Sequence, residues 1–138
     1  MKLLKLNGAM GSVNENRYAV NWNKPCRSKV QFAVKQFLKP YWQAYLCFEE
    51  FPCVGTLLKV DFINLSLRIA VEVHGGQHEE YNEFFHKGNP ANYLKSFKND
   101  DIKRRWLEKN GFQLVEIYEH EVPKLTRQFF KDKFGITL

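Results

Sequence analysis

The chain has 138 residues, 44% hydrophobic and 15% aromatic, enough to bury one core, so disorder is excluded as the default. Lys and Arg outnumber Asp and Glu by 21 to 15, and the net charge of +6 points to a polyanionic partner, nucleic acid before membrane. No apolar run approaches the roughly 20 residues that span a bilayer, and the apolar start is too short for a signal peptide. Three cysteines without a CxxC pair fit reduced thiols in a cytoplasm, not a disulfide framework or a zinc finger.

Residues 1–27 are rich in turn formers (Asn7-Gly8, Gly11-Ser12, Asn14 through Asn16) and read as an irregular N-terminal arm. Tyr18, Trp22, Lys24 and Arg27 suit an arm that packs on the body or one that clamps nucleic acid, and packing is the commoner role of such aromatics. Residues 28–138 read as a single domain. Ser28, with Gln31 three residues on, fits the capping box of a first helix. Val30, Val34, Phe37 and Leu38 recur at helical spacing, and Pro40 is expected to end the run. The segment AYLCFEEF then reads as a first strand, closing on Glu49 and Glu50.

Residues 56–78, TLLKVDFINLSLRIAVEVHGGQH, hold the densest chemistry. Asp61 lies in one β-rich run, and Glu72 and His74 lie in the next. Asn64-Leu65-Ser66 between them suits a hairpin turn. Side chains two apart on a strand share a face, so Glu72 goes with His74 and Lys59 with Asp61. Acids in strands this apolar are costly to bury without a cation or another polar partner. Two carboxylates from adjacent strands can hold Mg²⁺, which keeps several waters for a substrate phosphate. Edge-strand charges that limit aggregation are the plainer reading of either acid alone. Together with His74, Gln77 and His78, the two acids read as a site.

Residues 79–90 form a polar loop in which His86, Lys87 and Gly88 suit either DNA contact or surface packing. Ala91 to Asn110 reads as a second long helix with Leu94, Phe97, Ile102 and Trp106 as its apolar positions. Its Lys95, Lys98, Lys103, Arg104, Arg105 and Lys109 suit salt-sensitive phosphate contacts. They equally suit a solvated face in which Asp100 and Asp101 pair with Arg104 and Arg105. Gly111 supplies a C-cap, Phe112 to Glu119 a fourth strand, and Pro123 opens a short C-terminal helix carrying Phe129 and Phe130.

Asp61 followed by Glu72-Val73-His74 resembles the D…(D/E)xK signature of the PD-(D/E)xK nuclease superfamily, with His74 in the lysine position. Val73-His74-Gly75, His78, and the later Asp101, Arg104, Leu107, Gly111, Phe112 and Leu114 resemble the very-short-patch-repair (Vsr-like) branch and small phage-encoded relatives. The resemblance covers residues 28–120, about two-thirds of the chain. The element order agrees with it: an α/β fold with a restriction-endonuclease-like αβββαβ core, a mixed central sheet flanked by helices.

That resemblance implies a Mg²⁺-dependent DNA endonuclease, with Mn²⁺ as a substitute. Asp61, Glu72 and the Val73 carbonyl would hold the metal, with Glu49 preferred to Glu50 as a third carboxylate. Gln31 stands where relatives carry a helix acid. His74 would orient or deprotonate water, Lys59 is the alternative source of the missing cation, and Gln77 and His78 would place water or leaving group. DNA, duplex by preference, would meet Lys87, Lys95, Lys98, Lys103, Arg104 and Arg105. Nicking at mismatches, homing-type cutting and cutting of branched DNA all stay open, as do a partner protein and a homodimer. The competing expectation is a catalytically silent nucleic-acid-binding module on the same fold, favoured by Gln31 and the absent lysine.

Overall fold

The computed structural model describes residues 1–75 and 90–138, the residues 90–93 by backbone alone. The order of elements is β1 (Lys2–Leu4), β2 (Met10–Ser12), a 3-10 turn (Glu15–Tyr18), α1 (Lys29–Trp42), β3 (Cys47–Pro52), β4 (Lys59–Asn64) and β5 (Ile69–His74). Then follow α2 (Pro90–Lys109), β6 (Gln113–Tyr118), a second 3-10 turn (Glu119–Lys124) and α3 (Arg127–Phe134). The main sheet is ordered β3-β4-β5-β6. Its first two pairings are antiparallel, and β5 runs parallel to β6. The fold is therefore mixed α/β.

Strand alternation divides the core in two. Ile69 and Val71 of β5, with Val115 and Ile117 of β6, face Val34, Leu38 and Trp42 of α1 and Phe130 of α3. Ala70 of β5 and Ile63 of β4 face Trp106 and Leu107 of α2. Helices thus cover both faces, and every polar side chain at an even position of β5 must find its partner on the α2 side.

Several local expectations need correction. The arm is not irregular throughout: β1 and β2 pair as a hairpin, and Leu3 and Val13 join the α2-side core. The Asn110 side chain ties Leu4 down, accepting from its amide at 2.8 Å and donating to its carbonyl at 2.9 Å. Ser28 Oγ caps α1 by accepting from the Gln31 amide at 3.3 Å, as expected, but the other half of the capping box is missing because the Gln31 side chain donates to Glu50. Pro40 does not end that helix, which continues to Trp42. Proline in the last turn forfeits one backbone hydrogen bond, while the continued turn seats Trp42 fully in the core. β3 accordingly starts at Cys47.

In α2 the anticipated apolar stripe fails at its N-terminal end, where Leu94 and Phe97 are each 64% exposed. The helix meets the core through Trp106 and Leu107 at its C-terminal end. Pro123 lies inside the second 3-10 turn, and α3 opens later, at Thr126, whose hydroxyl accepts from the Phe129 amide at 3.0 Å. No helix among the described residues is long and apolar enough to cross a membrane.

Candidate active site

β4 and β5 pair from Asn64 with Ile69 to Phe62 with Val71, and the same register sets Asp61 opposite Glu72. At that point the side chains replace the backbone ladder. The Asp61 amide donates to Glu72 Oε2 at 3.1 Å, and the Val73 amide donates to Asp61 Oδ2 at 2.8 Å. Two backbone donors near the strand ends are thereby satisfied by the two carboxylates. Glu72 is buried, and its even position turns it to the α2 side. From there Lys103 places its ammonium 2.5 Å from Glu72 Oε1.

Burial pushes the Asp61 carboxyl well above the ordinary value, and the charge of Glu72 adds to the shift. The Val73 amide and the more distant Lys103 act against it. For Lys103, burial disfavours the charge, yet Glu72 at its side holds its pKa above the usual lysine value. The centre is thus an acid pair served by one ammonium.

His74 turns along the sheet. Its Nε2 lies 3.3 Å from Glu116 Oε1, and its ring stacks on Tyr118 with centroids 4.9 Å apart. Both partners lie in β6, in the register that sets Glu72 beside Glu116 and His74 beside Tyr118. The hydrogen bond from His74 holds the Glu116 carboxyl below its ordinary value, against the effect of burial. Asp61, Glu72 and Glu116 therefore follow one another across three strands. Glu116 was not among the expected site residues, although an acid in the apolar run QLVEIY carries the same signal as Glu72.

On the other flank, Glu50 has φ +50, and the register between Glu49–Phe62 and Phe51–Val60 sets it opposite Asp61. The alternation slips there: Phe48 and Phe51 face the same core, as do Ile63 and Val60. Gln31 of α1 donates to Glu50 Oε1 at 3.0 Å. Glu49, the carboxylate preferred from sequence, is turned instead to Lys35, whose Nζ lies 3.0 Å from its Oε2. Lys35 is fully buried and was not foreseen. Lys59 is exposed and lines an open cleft of about 520 Å³ together with Lys24, Arg27, Gln31, Glu49 and Glu50.

The anticipated basic residues divide. Lys95 and Lys98 are exposed. Arg104 and Arg105 lie 3.6 and 3.3 Å from Asp101, the local pairing that helical spacing allows. Lys103 belongs to the acid pair rather than to the helix surface. Gln77, His78 and Lys87 lie outside the described residues.

The donor set suits a hard dication. Asp61 and Glu72 offer oxygen ligands from adjacent strands, and their mutual repulsion favours a positive ligand. No set of three His, Cys, Asp or Glu among the described residues stands ready as a cage. Mg²⁺ does not require one, because it is commonly held by one or two carboxylates with water and phosphate completing its shell.

No family model matches the chain, and no solved structure matches it. It is similar to Uncharacterized protein 033L of Invertebrate iridescent virus 3, with 31% identity over 110 residues, 80% of this chain and 53% of that protein. It is also similar to Uncharacterized protein 094L of Frog virus 3 (isolate Goorha), with 38% identity over 66 residues, 48% of this chain and 43% of that protein. The chain spans about half the length of the curated relatives it matches.

Proposed function

We propose that the chain is a Mg²⁺-dependent DNA endonuclease with a restriction-endonuclease-like core. The observation that carries this reading is the Asp61–Glu72 pair, with each carboxylate holding a backbone amide of the neighbouring strand. The helix–three strands–helix–strand order and the β3-β4-β5-β6 sheet support the fold assignment.

Asp61 and Glu72, with the Val73 carbonyl, would hold the cation. When bound, Mg²⁺ or Mn²⁺ supplies Lewis-acid polarisation of phosphate and activation of water. Lys103 offsets the charge of Glu72 before the cation arrives. His74 Nε2 is oriented by Glu116 at 3.3 Å, which holds the imidazole on the same strand as Glu72. Glu50, steadied by Gln31, is better set than Glu49 to add a carboxylate near Asp61.

Cleavage of supercoiled plasmid, mismatched duplex and branched duplex, in Mg²⁺, Mn²⁺ or EDTA, tests the reading. Metal-dependent cutting that disappears in Asp61→Ala and Glu72→Ala is the expected result, and the preferred substrate then names the class. A catalytically silent binding module is the second reading, favoured by the ammonium of Lys103 already seated on Glu72. It prevails if these three DNA forms are bound by all variants and cut by none.

A further inference from the structure

Residues 21–24 of the N-terminal arm are stitched to the body by side chains of α1 and β3. Lys35 Nζ donates to the Lys24 carbonyl at 2.8 Å and to Glu49 Oε1 at 3.1 Å. Gln36 Nε2 donates to the Trp22 carbonyl at 2.8 Å, and Lys39 Nζ donates to Asn23 Oδ1 at 2.8 Å. The Asn21 amide donates to Glu49 Oε2 at 3.0 Å. The part of the cleft lining formed by Lys24 to Arg27 is therefore tied to the body at Lys24, and Gln31, Glu50 and Lys59 line the same cleft.

The charges in the cleft are sorted. Glu49 is neutralised by Lys35, so the exposed Lys24, Arg27 and Lys59 outnumber the one remaining acid, Glu50. Glu50 stands opposite Asp61, and Cys26 on the cleft wall feels the charge of Asp61 as well as that of Glu49 and Glu50. A cationic rim thus leads to the flank of the acid pair.

We infer that this cleft is the groove for the DNA strand presented to the Asp61–Glu72 centre, with Lys24, Arg27 and Lys59 as its phosphate contacts. The inference rests on the nuclease reading and adds the arm to the substrate site. A phosphodiester chain fits the site because its repeating charge meets three separate cations, whereas one small anion would leave two of them unused. The open shape of the cleft admits a continuous strand.

Fluorescence anisotropy with short labelled single-stranded and duplex DNA, in EDTA, provides the test. The proteins are wild type, Lys24→Gln/Arg27→Gln/Lys59→Gln, and a control with Lys2→Gln/Lys124→Gln/Lys131→Gln, three exposed lysines away from the cleft. The cleft variant should bind at least tenfold more weakly, and its slope of log affinity against log salt should fall by about 2, three phosphate contacts at roughly 0.7 to 0.9 each. Lys24→Arg/Lys59→Arg should retain wild-type binding, and thermal melting verifies that each protein is folded. A larger loss on one probe identifies the strand form the groove takes. An unchanged slope in the cleft variant, or an equal loss in the lysine control, overturns the inference while metal-dependent cutting leaves the nuclease reading standing. A wild type that binds neither probe also overturns the inference, and the cleavage assay alone decides the nuclease reading.

Discussion

The ammonium of Lys103 lies 2.5 Å from Oε1 of Glu72, so a helix side chain closes over a carboxylate that the sheet has buried. Removing one partner leaves the other charge uncompensated, which is far costlier than losing an exposed ion pair. Lys103→Ala should destabilise the protein by about 3 kcal/mol in a urea titration. Lys103→Ala/Glu72→Gln should recover most of that loss, because no orphan charge remains and glutamine still accepts from the Asp61 amide. Additivity of the two substitutions would mean that the pair is not coupled in the folded state.

Asp61 gives the opposite prediction. Its carboxyl has a folded-state pKa raised by burial and by Glu72, while the unfolded chain keeps the ordinary value. Between those two values the folded state holds a proton that the unfolded state has lost. Stability therefore falls as pH rises through that window, and the full cost is present above it. Asp61→Asn should raise the melting temperature in EDTA above neutral pH by about 3 °C, on the order of 1 kcal/mol. The gain should shrink as the pH is lowered toward the ordinary carboxylate range. Mn²⁺ should raise the melting temperature of wild type in proportion to the logarithm of its concentration and leave Asp61→Asn unmoved. Equal responses to Mn²⁺ would remove Asp61 from the metal site.

How far the sequence reveals this centre depends on whether the partners share one hairpin. Asp61, Glu72 and His74 come together from strand periodicity and a short turn, and the succession of helix, three strands, helix, strand and helix follows from the apolar patterns along the chain. Lys103 is different. It sits among five other basic residues on a helix whose acids can pair with several of them, so local spacing does not distinguish the one that leans on β5. Lys35 follows Val34 in what reads as the edge of a stripe, and only the folded position of Glu49 makes its burial tolerable. Glu50 adopts a left-handed φ without the glycine or asparagine that usually marks one, so the slip in β3 has no local signal. Exposure of Leu94 and Phe97 likewise reflects where the core ends rather than anything in the helix itself.

Lys35 links the arm to the sheet through Lys24 and Glu49. Lys35→Met keeps much of the side chain's volume but removes both of these contacts. Hydrogen exchange at Asn21 and its neighbours should then quicken by at least tenfold, while amides of β5 and β6 keep their protection. The same variant should lose part of its DNA affinity although it leaves Lys24, Arg27 and Lys59 untouched. Uniform acceleration throughout the sheet would instead make Lys35 a general stabiliser with no special hold on the arm.

Glu50 offers a test of strain at the site. Glycine in a strand is ordinarily less stable than alanine, because it orders more backbone and packs no side chain. At φ +50 the order should invert, since alanine retains the left-handed penalty and glycine does not. Both Glu50→Ala and Glu50→Gly give up the hydrogen bond from Gln31, so that loss cancels in the comparison. Glu50→Gly should therefore be the more stable of the two by about 1 kcal/mol in chemical denaturation. Metal-dependent cutting should drop in both, since each lacks the carboxylate opposite Asp61. If alanine proves the more stable, β3 relaxes when the Gln31 contact is lost, and the kink is then held by that hydrogen bond rather than by the packing of Phe48 and Phe51 on one face.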